Sequence, residues 1–512
     1  EAFEAGKRAA DEIIRKHLEE KAEFPKKVAI VLWAVETMRN GGVNESTILA
    51  LLGIEPVWDQ SGKVEGIRPI PGNVLNRPRI DVLINPSGLY RDLFPEKLIL
   101  LDRAVKMALL QKDVENLVKK NYEALKASLL SKGLDEKKAE GLAKIRIFGE
   151  APGTYGTGVS DITGISGLWE SDREISGIYT MRVANTFGEE TWGDEEKELF
   201  NLNLGMVDTV VHSFSSNLFG AMDNDDVFDY VGGLSLAVRN LTGKAPKALI
   251  TFHRSKNELK VNQLSKVLGQ ELKTRYLNPK WIEGMVKEGY SGARTIAKFM
   301  EYFWGFQVTT PDEIDQSQWN ELYGTYVEDR YNMGLKKFFT ESNPWAYQSI
   351  LARMLEAIRK GYWDAPENVR QRLALEYVGS VVEKGIACCD HTCNNPFLNQ
   401  MVINLISVPG VLDPQKVEGF SKELKKTLKK DLKTQLKELK ALQKKLKTSQ
   451  DNSLAPSEKD TSKEEVEGFK FEKVQENKDE SISSSAMEWL LTGLVLLVIS
   501  VFLLGYHLGN SR

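Results

Sequence analysis

The stretch ACCDHTCNNP, residues 387–396, holds all three cysteines of a 512-residue chain, with a histidine among them. Thiolates at Cys388, Cys389 and Cys393 and the imidazole of His391 together suit Zn²⁺, Co²⁺ or a similar borderline ion. The C-C-x-H-x-C spacing differs from the paired knuckles of structural zinc sites. One short loop is therefore expected to give two or three ligands and to leave a position open, as a transient metal-loading site would. Two other readings stand beside it: a redox pair of Cys388 or Cys389 with Cys393, and a plain loop with incidental thiols. A disulfide framework is disfavoured. Three clustered cysteines are the wrong count and distribution for one, and adjacent cysteines pair only with strain. A reducing compartment is the expectation.

Acid–base and binding groups fall just after apolar runs. Glu36 and Arg39 follow VAIVLWA (28–34), and Arg91 and Asp92 sit in INPSGLYRDLFP (84–95). Ligand crevices of open α/β sheets lie beyond the carboxyl ends of the strands, so all four are placed to face one. Helix capping and loop ion pairs are the alternative for each. Tyr155 lies in APGTYGTG (151–158), which lacks the Gly-Lys-Ser/Thr ending a phosphate loop needs, so this chain is not expected to hydrolyse ATP. Its glycines would let the loop pass close to a flat ligand or a neighbouring loop. MDNDDVFDY (222–230) reads as a helix N-terminus or as a cation-handling cluster. His253, after the strand-like ITF, is either structural or catalytic. Lys280 belongs to NPKWIEGMVKEGYSGA (278–293), whose aromatic and glycine content suits tight packing or a planar ligand edge.

The elements that must hold these groups recur as strand, loop, helix and strand at α/β spacing. A strand over 28–34, a helix near Ser46–Leu52, a second strand before Asn85 and a helix from about Lys97 to Leu110 are expected. Residues 107–144 read as helical, and 255–385 as mainly helical. The expected architecture is a Rossmann-like parallel-sheet region (1–165), then a mixed, mainly helical region (166–385). The Cys/His loop with a Lys-rich amphipathic, coiled-coil-like helix (386–447) and a disordered linker (448–485) follow. Leu424, Leu428, Leu432, Leu436, Leu439, Leu442 and Leu446 mark that helix. Last comes WLLTGLVLLVISVFLLGY, Trp489–Tyr506, uncharged and framed by interfacial aromatics. It reads as a transmembrane anchor within 486–508, with the globular part expected in the cytoplasm. A formal net charge of −4 gives no field that argues for nucleic acid.

VAIVLWAVETMRNGG, RPRIDVLINPSGLYRDLFPEKLILLDRAVKMA, RIFGEAPGTYGTGV, LNPKWIEGMVKEGYSGA and ESNPWAYQSILARMLEAIRKGYW together, in this order, resemble the large porphyrin-binding subunit of the class I tetrapyrrole metal chelatases. The resemblance spans roughly residues 1–380 and takes in the large subunits of cobaltochelatases and of magnesium chelatases. It implies a tetrapyrrole substrate and Co²⁺ insertion into a corrin precursor of the hydrogenobyrinic acid a,c-diamide type, in cobalamin synthesis. The alternative it implies is Mg²⁺ insertion into protoporphyrin IX. ATP would be hydrolysed on AAA+ partner subunits. Family members are more than twice this long, with a His-x-Gly-Thr-His-Gly motif upstream, so this chain resembles their C-terminal part and an upstream half is an expected partner. Glu36 and His253 would take pyrrole protons. Arg39, Arg91, Asp92, Tyr155 and Lys280 would contact the macrocycle. Several cobaltochelatase-like sequences carry a Cys/His-rich stretch similar to CCDHTC, which favours cobalt. A membrane-tethered scaffold that binds tetrapyrrole or metal without catalysis is the reading from another class.

Overall fold

Lys27–Leu32 is a short β-branched and aliphatic run, and all six residues are buried. Ala29 and Val31 pack into one hydrophobic cluster, while Val28, Ile30 and Leu32 pack into another. A strand that feeds two cores must be covered on both faces, and that is the environment of a parallel sheet. In the computed structural model, which describes residues 1–255 and 258–454, this strand (β1) stands second from one edge of a five-stranded sheet.

The strands are β1 (Lys27–Leu32), β2 (Ile54–Trp58), β3 (Val64–Pro69), β4 (Asp81–Pro86), β5 (Phe148–Gly149), β6 (Asn185–Phe187), β7 (Trp192–Glu195), β8 (Thr209–Phe214), β9 (Lys247–Ser255) and β10 (Glu258–Gln263). The main sheet has the order β10-β9-β8-β1-β4. Its β9, β8, β1 and β4 pair parallel, and β10 closes the edge antiparallel to β9. The chain runs outward from β1 to β4, then returns to place β8 on the other side of β1. That reversal sets a switch point at the carboxyl ends of β1 and β8, the place where doubly wound sheets take ligands.

One face is covered by α1 (Ala2–Lys21), α3 (Val43–Leu52) and the helix Pro95–Leu109. The short α2 (Ala34–Asn40) leaves β1 directly at the switch point. α1 and α3 touch backbone to backbone at Gly6, where an added Cβ would lie 2.6 Å from the Ser46 carbonyl carbon and the Thr47 nitrogen. The other face is covered by the helices Asp172–Val183, Lys197–Leu204 and Gly233–Thr242. Behind them a helical layer runs on to residue 384, built around Tyr290–Thr309 and Pro344–Arg359. At the amino edge of the sheet, Lys27 Nζ lies 3.1 Å from Asp81 Oδ2, and Arg146 Nε donates to Asp81 Oδ1 at 2.9 Å. This closed ion triad ties β1, β4 and the segment before β5 together.

Residues 1–454 form one unit, and the main sheet takes strands from both sides of residue 165. Sheet structure also runs past 255, since β10 is its edge strand. The expected strand of KIRIFGE shrinks to Phe148–Gly149, because Ile147 makes only an isolated bridge to Ile84. The leucine-rich stretch is not one helix. It breaks between Pro414–Leu428 and Leu432–Leu454, where Lys429 turns with φ 55°. Both pieces return to the body: Phe420 is buried against Tyr377, and Gln443 donates to the Gly167 carbonyl at 2.9 Å. The second piece runs to Leu454, seven residues into the stretch expected as a linker. The rest of that linker and the apolar segment Trp489–Tyr506 lie outside the described residues. Among the described residues, no helix is long and apolar enough to cross a membrane.

Candidate active site

At the carboxyl ends of β1 and β8 stands a cluster of rings. Trp33, the residue after β1, donates its indole N–H to His212 Nδ1 on β8 at 3.2 Å and meets Tyr230 edge-on at 4.7 Å. Tyr230 sits in a π-helical turn, Phe228–Gly232, and its hydroxyl donates to Glu150. Such turns recur at functional sites, because the extra residue swings side chains out of helical register. His212 is buried, and burial holds its imidazole down at about 3. It is neutral at pH 7.

Acids collect around this cluster. Glu36, on α2, is buried, and burial raises its carboxyl while Ser215 beside it pulls the other way. Arg39 Nη1 stands 4.0 Å from it and is itself well exposed. Glu45 accepts from Tyr90 (2.8 Å) and Thr37 (2.9 Å). Glu150 and Asp229 are raised, chiefly by burial. One carboxylate oxygen of each of Glu36, Glu45 and Glu150 accepts no hydrogen bond. Asp226 differs from these, because it is only partly buried, with its Oδ2 accepting from Asn224 Nδ2 at 2.7 Å. Burial, with the charges of Asp225 and Asp229, lifts its carboxyl to about 6. A half-buried carboxylate poised near neutrality can exchange protons with a ligand.

The segments that follow β1, β4, β5 and β8 also carry exposed apolar residues. Val35, Met38, Leu89, Leu93, Tyr155, Leu218 and Phe219 are all exposed, Met38 by 69% and Leu218 by 74%. A cavity of about 1050 Å³ opens at the opposite, amino edge. Its walls carry both signs of charge, and Lys247 there is paired with Glu20. Size alone does not place chemistry there, and the strand topology points to the other edge.

The structure brings some expected residues together and corrects the roles of others. Arg91 is enclosed by protein groups. It is 1% exposed, and its Nη1 donates to the carbonyls of Glu150 (2.8 Å), Ala151 (2.9 Å) and Thr154 (3.4 Å). Its Nε donates to Asp92 (2.7 Å), which also accepts from the Tyr155 hydroxyl at 2.7 Å. Arg91, Asp92 and Tyr155 are thus one chain that clamps the glycine-rich loop. That loop is tied to the π-helical turn: the Thr157 and Ser160 amides donate to Asp229 at 3.0 and 2.7 Å. His253 bonds Thr251 Oγ1 at 3.1 Å, and burial holds it at about 4, which makes it a weak base. Strand alternation puts it on the face of β9 opposite Phe252, away from the His212 side. Lys280 is exposed at the start of the helix Pro279–Lys287.

The four expected metal ligands do not converge. His391 Nε2 is engaged by Ser349 Oγ (2.7 Å) and Glu301 (3.1 Å), and Cys389 Sγ by Thr392 Oγ1 (2.9 Å). Among the described residues, no three of His, Cys, Asp and Glu are grouped to hold a metal ion. Asp226, Glu150, Asp229, Tyr230, His212 and Trp33 were not among the expected site residues. MDNDDVFDY and the Glu preceding APGTYGTG were the available signals.

This doubly wound sheet, with acids and rings at its switch point, has counterparts of known lineage. A family model described as CobN/Magnesium Chelatase matches residues 1–370. The chain belongs to that family. An aerobic cobaltochelatase subunit CobN from Sinorhizobium sp is 30% identical over 385 residues, 75% of this chain and 30% of that protein. The H-type magnesium-chelatase subunit from Chlorobaculum parvum is 33% identical over 378 residues, 73% of this chain and 28% of that protein. The solved catalytic subunit of cobaltochelatase from Mycobacterium tuberculosis superposes with a TM-score of 0.69 at 30% identity, over 74% of this chain and 32% of that one. The chain thus spans about a third or less of the length of these CobN/magnesium chelatase relatives.

Neutral buried histidines give the family fold here an acid-labile element. His212 accepts protons near 6.5 when unfolded and only near 3 when folded, so the unfolded state binds more protons between those values. Stability therefore falls as pH drops through that window, by a few kcal/mol for a shift of this size. Asp226 and Glu150 act with the opposite sign, so the difference between variants is the clean measure. Urea titrations from pH 7 to 4 are expected to show a shallower acid loss for His212→Gln than for wild type. Parallel curves would remove His212 from this role.

Proposed function

We propose that this chain carries the metal-insertion edge of a tetrapyrrole chelatase subunit, inserting Co²⁺ into a corrin precursor while partner subunits hydrolyse ATP. The observation that carries the reading is Asp226. It lies on the segment that leaves the carboxyl end of β8, half-buried and raised to about 6, three residues from Asp229 and on the same segment as the exposed Leu218 and Phe219. Metal insertion needs the pyrrole N–H protons removed as the ion sheds water. Asp226 takes those protons at its carboxylate. The exposed Asp225 beside it draws the cation in. Asp223 is otherwise engaged, since Arg275 pairs with it and the Tyr276 hydroxyl donates to it at 2.8 Å. Arg39, held at one side by Glu36, pairs with acidic side chains of the macrocycle. Trp33, Tyr230 and Glu150 form the dry cluster that keeps water from the reacting face. The further length that the relatives possess would close over this edge.

Insertion of Mg²⁺ into protoporphyrin IX is the second reading, and the Chlorobaculum magnesium-chelatase subunit, as similar as the cobaltochelatases, favours it. The thiols no longer tilt the choice, because they do not gather into a site. The test combines this chain with the upstream part of the subunit and the ATPase partners, and offers Co²⁺ with a corrin precursor or Mg²⁺ with protoporphyrin. Insertion of cobalt that depends on this chain is expected. Insertion of magnesium alone would transfer the proposal to the second reading. Tetrapyrrole binding with neither metal inserted would make the chain a non-catalytic scaffold.

A further inference from the structure

The cysteine loop has a geometry that the chelatase reading does not use. Cys393 is buried in the main core, Cys388 is exposed, and their sulfurs lie 3.6 Å apart. The loop that carries them is pinned at both ends. The Ala387 amide donates to Gln348 Oε1 (2.7 Å) and Thr392 Oγ1 to the Ala387 carbonyl (2.6 Å). Asn399 donates to the Thr392 carbonyl (2.9 Å), and Asn395 caps the helix Pro396–Ile406. A pinned loop keeps the two sulfurs near each other without further ordering. Bond formation needs them to close to about 2.05 Å, which rotation of the exposed Cys388 side chain can supply. Cys389 is set apart: its sulfur faces Thr392 Oγ1 and His391, and a bond to its neighbour Cys388 would be strained.

We infer that Cys388 and Cys393 form a hydroperoxide-sensitive dithiol that closes to a reversible disulfide, leaving Cys389 reduced. The exposed Cys388 meets the oxidant, and its thiolate attacks one peroxide oxygen. The O–O bond breaks, hydroxide or alkoxide leaves, and Cys388 becomes a sulfenic acid. The Cys393 sulfur then attacks the Cys388 sulfur, the S–O bond breaks, and water leaves with the Cys393 proton. Two thiols are oxidised and one peroxide is reduced. An external dithiol reverses the step by exchange. The disulfide would fasten the joint between the helices Glu367–Lys384 and Pro396–Ile406. His391 on the same loop reaches Glu301 of the central helix Tyr290–Thr309, so the joint is in contact with the helical layer.

The test treats the reduced full-length chain with hydrogen peroxide, quenches it, and alkylates free thiols under denaturing conditions. The number of alkylated cysteines is expected to fall from three to one. The tryptic peptide over residues 385–416 should lose two hydrogens and regain them with dithiothreitol. Cys389→Ser should still close. Cys388→Ser, an exposed and structurally mild change, should not, and Cys393→Ala gives a second check. The inference is overturned if all three thiols remain alkylatable. Advance of Cys388 to sulfinic acid with no crosslink, closure through Cys389, or bonds formed only between chains would also overturn it.

Discussion

Arg91→Ala is expected to destabilise the protein by about 2–3 kcal/mol, the range for removing a buried side chain that bonds a buried carbonyl. The guanidinium is enclosed and serves three backbone carbonyls and one carboxylate. Its removal takes the donor from the buried Glu150 carbonyl, an orphan that costs about 1–3 kcal/mol, while the Ala151 carbonyl keeps the Thr154 amide and hydroxyl. Asp92 and Tyr155 lose their anchor at the same time. Arg91→Lys should recover only part of the loss, because one ammonium cannot reach the carbonyls and Asp92 together. Chemical denaturation measures the effect. A stability close to wild type with a large loss of tetrapyrrole affinity would return Arg91 to the ligand-binding role read from the sequence.

Asp226→Asn is expected to act on rate. Under the proposed function it removes the proton acceptor while keeping shape and hydrogen bonding. Insertion by the reconstituted chelatase should fall ~100-fold or more, as general-base losses do. Tetrapyrrole affinity should change little. The wild-type rate should rise with pH through about 6 as the Asp226 carboxyl ionises, and the variant should lack that rise. A variant as active as wild type, with the same pH profile, would show that protons leave by another route.

Some of this was legible in the sequence and some was not, for physical reasons. β1 and β4 were readable because a strand buried on both faces is a continuous apolar run. That run is enough to place Glu36 and Arg39 at the carboxyl edge. The role of Arg91 was hidden, because its partners are main-chain carbonyls 59 and more residues downstream, which have no residue type to read. His212 was passed over, since a strand histidine reveals neither its face nor its neighbours until the β1–β8 register is known. Asp229 looked like a cap for its own helix, yet it caps the amides of the glycine-rich loop. The leucine spacing after residue 420 correctly signalled an amphipathic helix. Periodicity could not show the reversal at Lys429, a non-glycine residue in left-handed backbone. The cysteine cluster suggested four ligands because spacing ignores direction. The turn sends Cys389 and His391 one way and Cys388 and Cys393 another.

The central claim is that the macrocycle binds at the carboxyl edge of the sheet. Equilibrium titration of the chain with corrin and porphyrin, followed by tryptophan quenching, tests it on two variants. Met38→Glu with Leu218→Glu puts charge in place of exposed apolar residues at the carboxyl edge. Lys244→Glu puts it at the amino-edge cavity, where Lys244 is a lining residue. Saturable binding weakened at least ~10-fold by the carboxyl-edge charges, a loss of about 1.4 kcal/mol, and unchanged by Lys244→Glu is the predicted result. Binding that survives the carboxyl-edge charges and is lost with Lys244→Glu would place the macrocycle at the wrong end of the sheet for this account and contradict it.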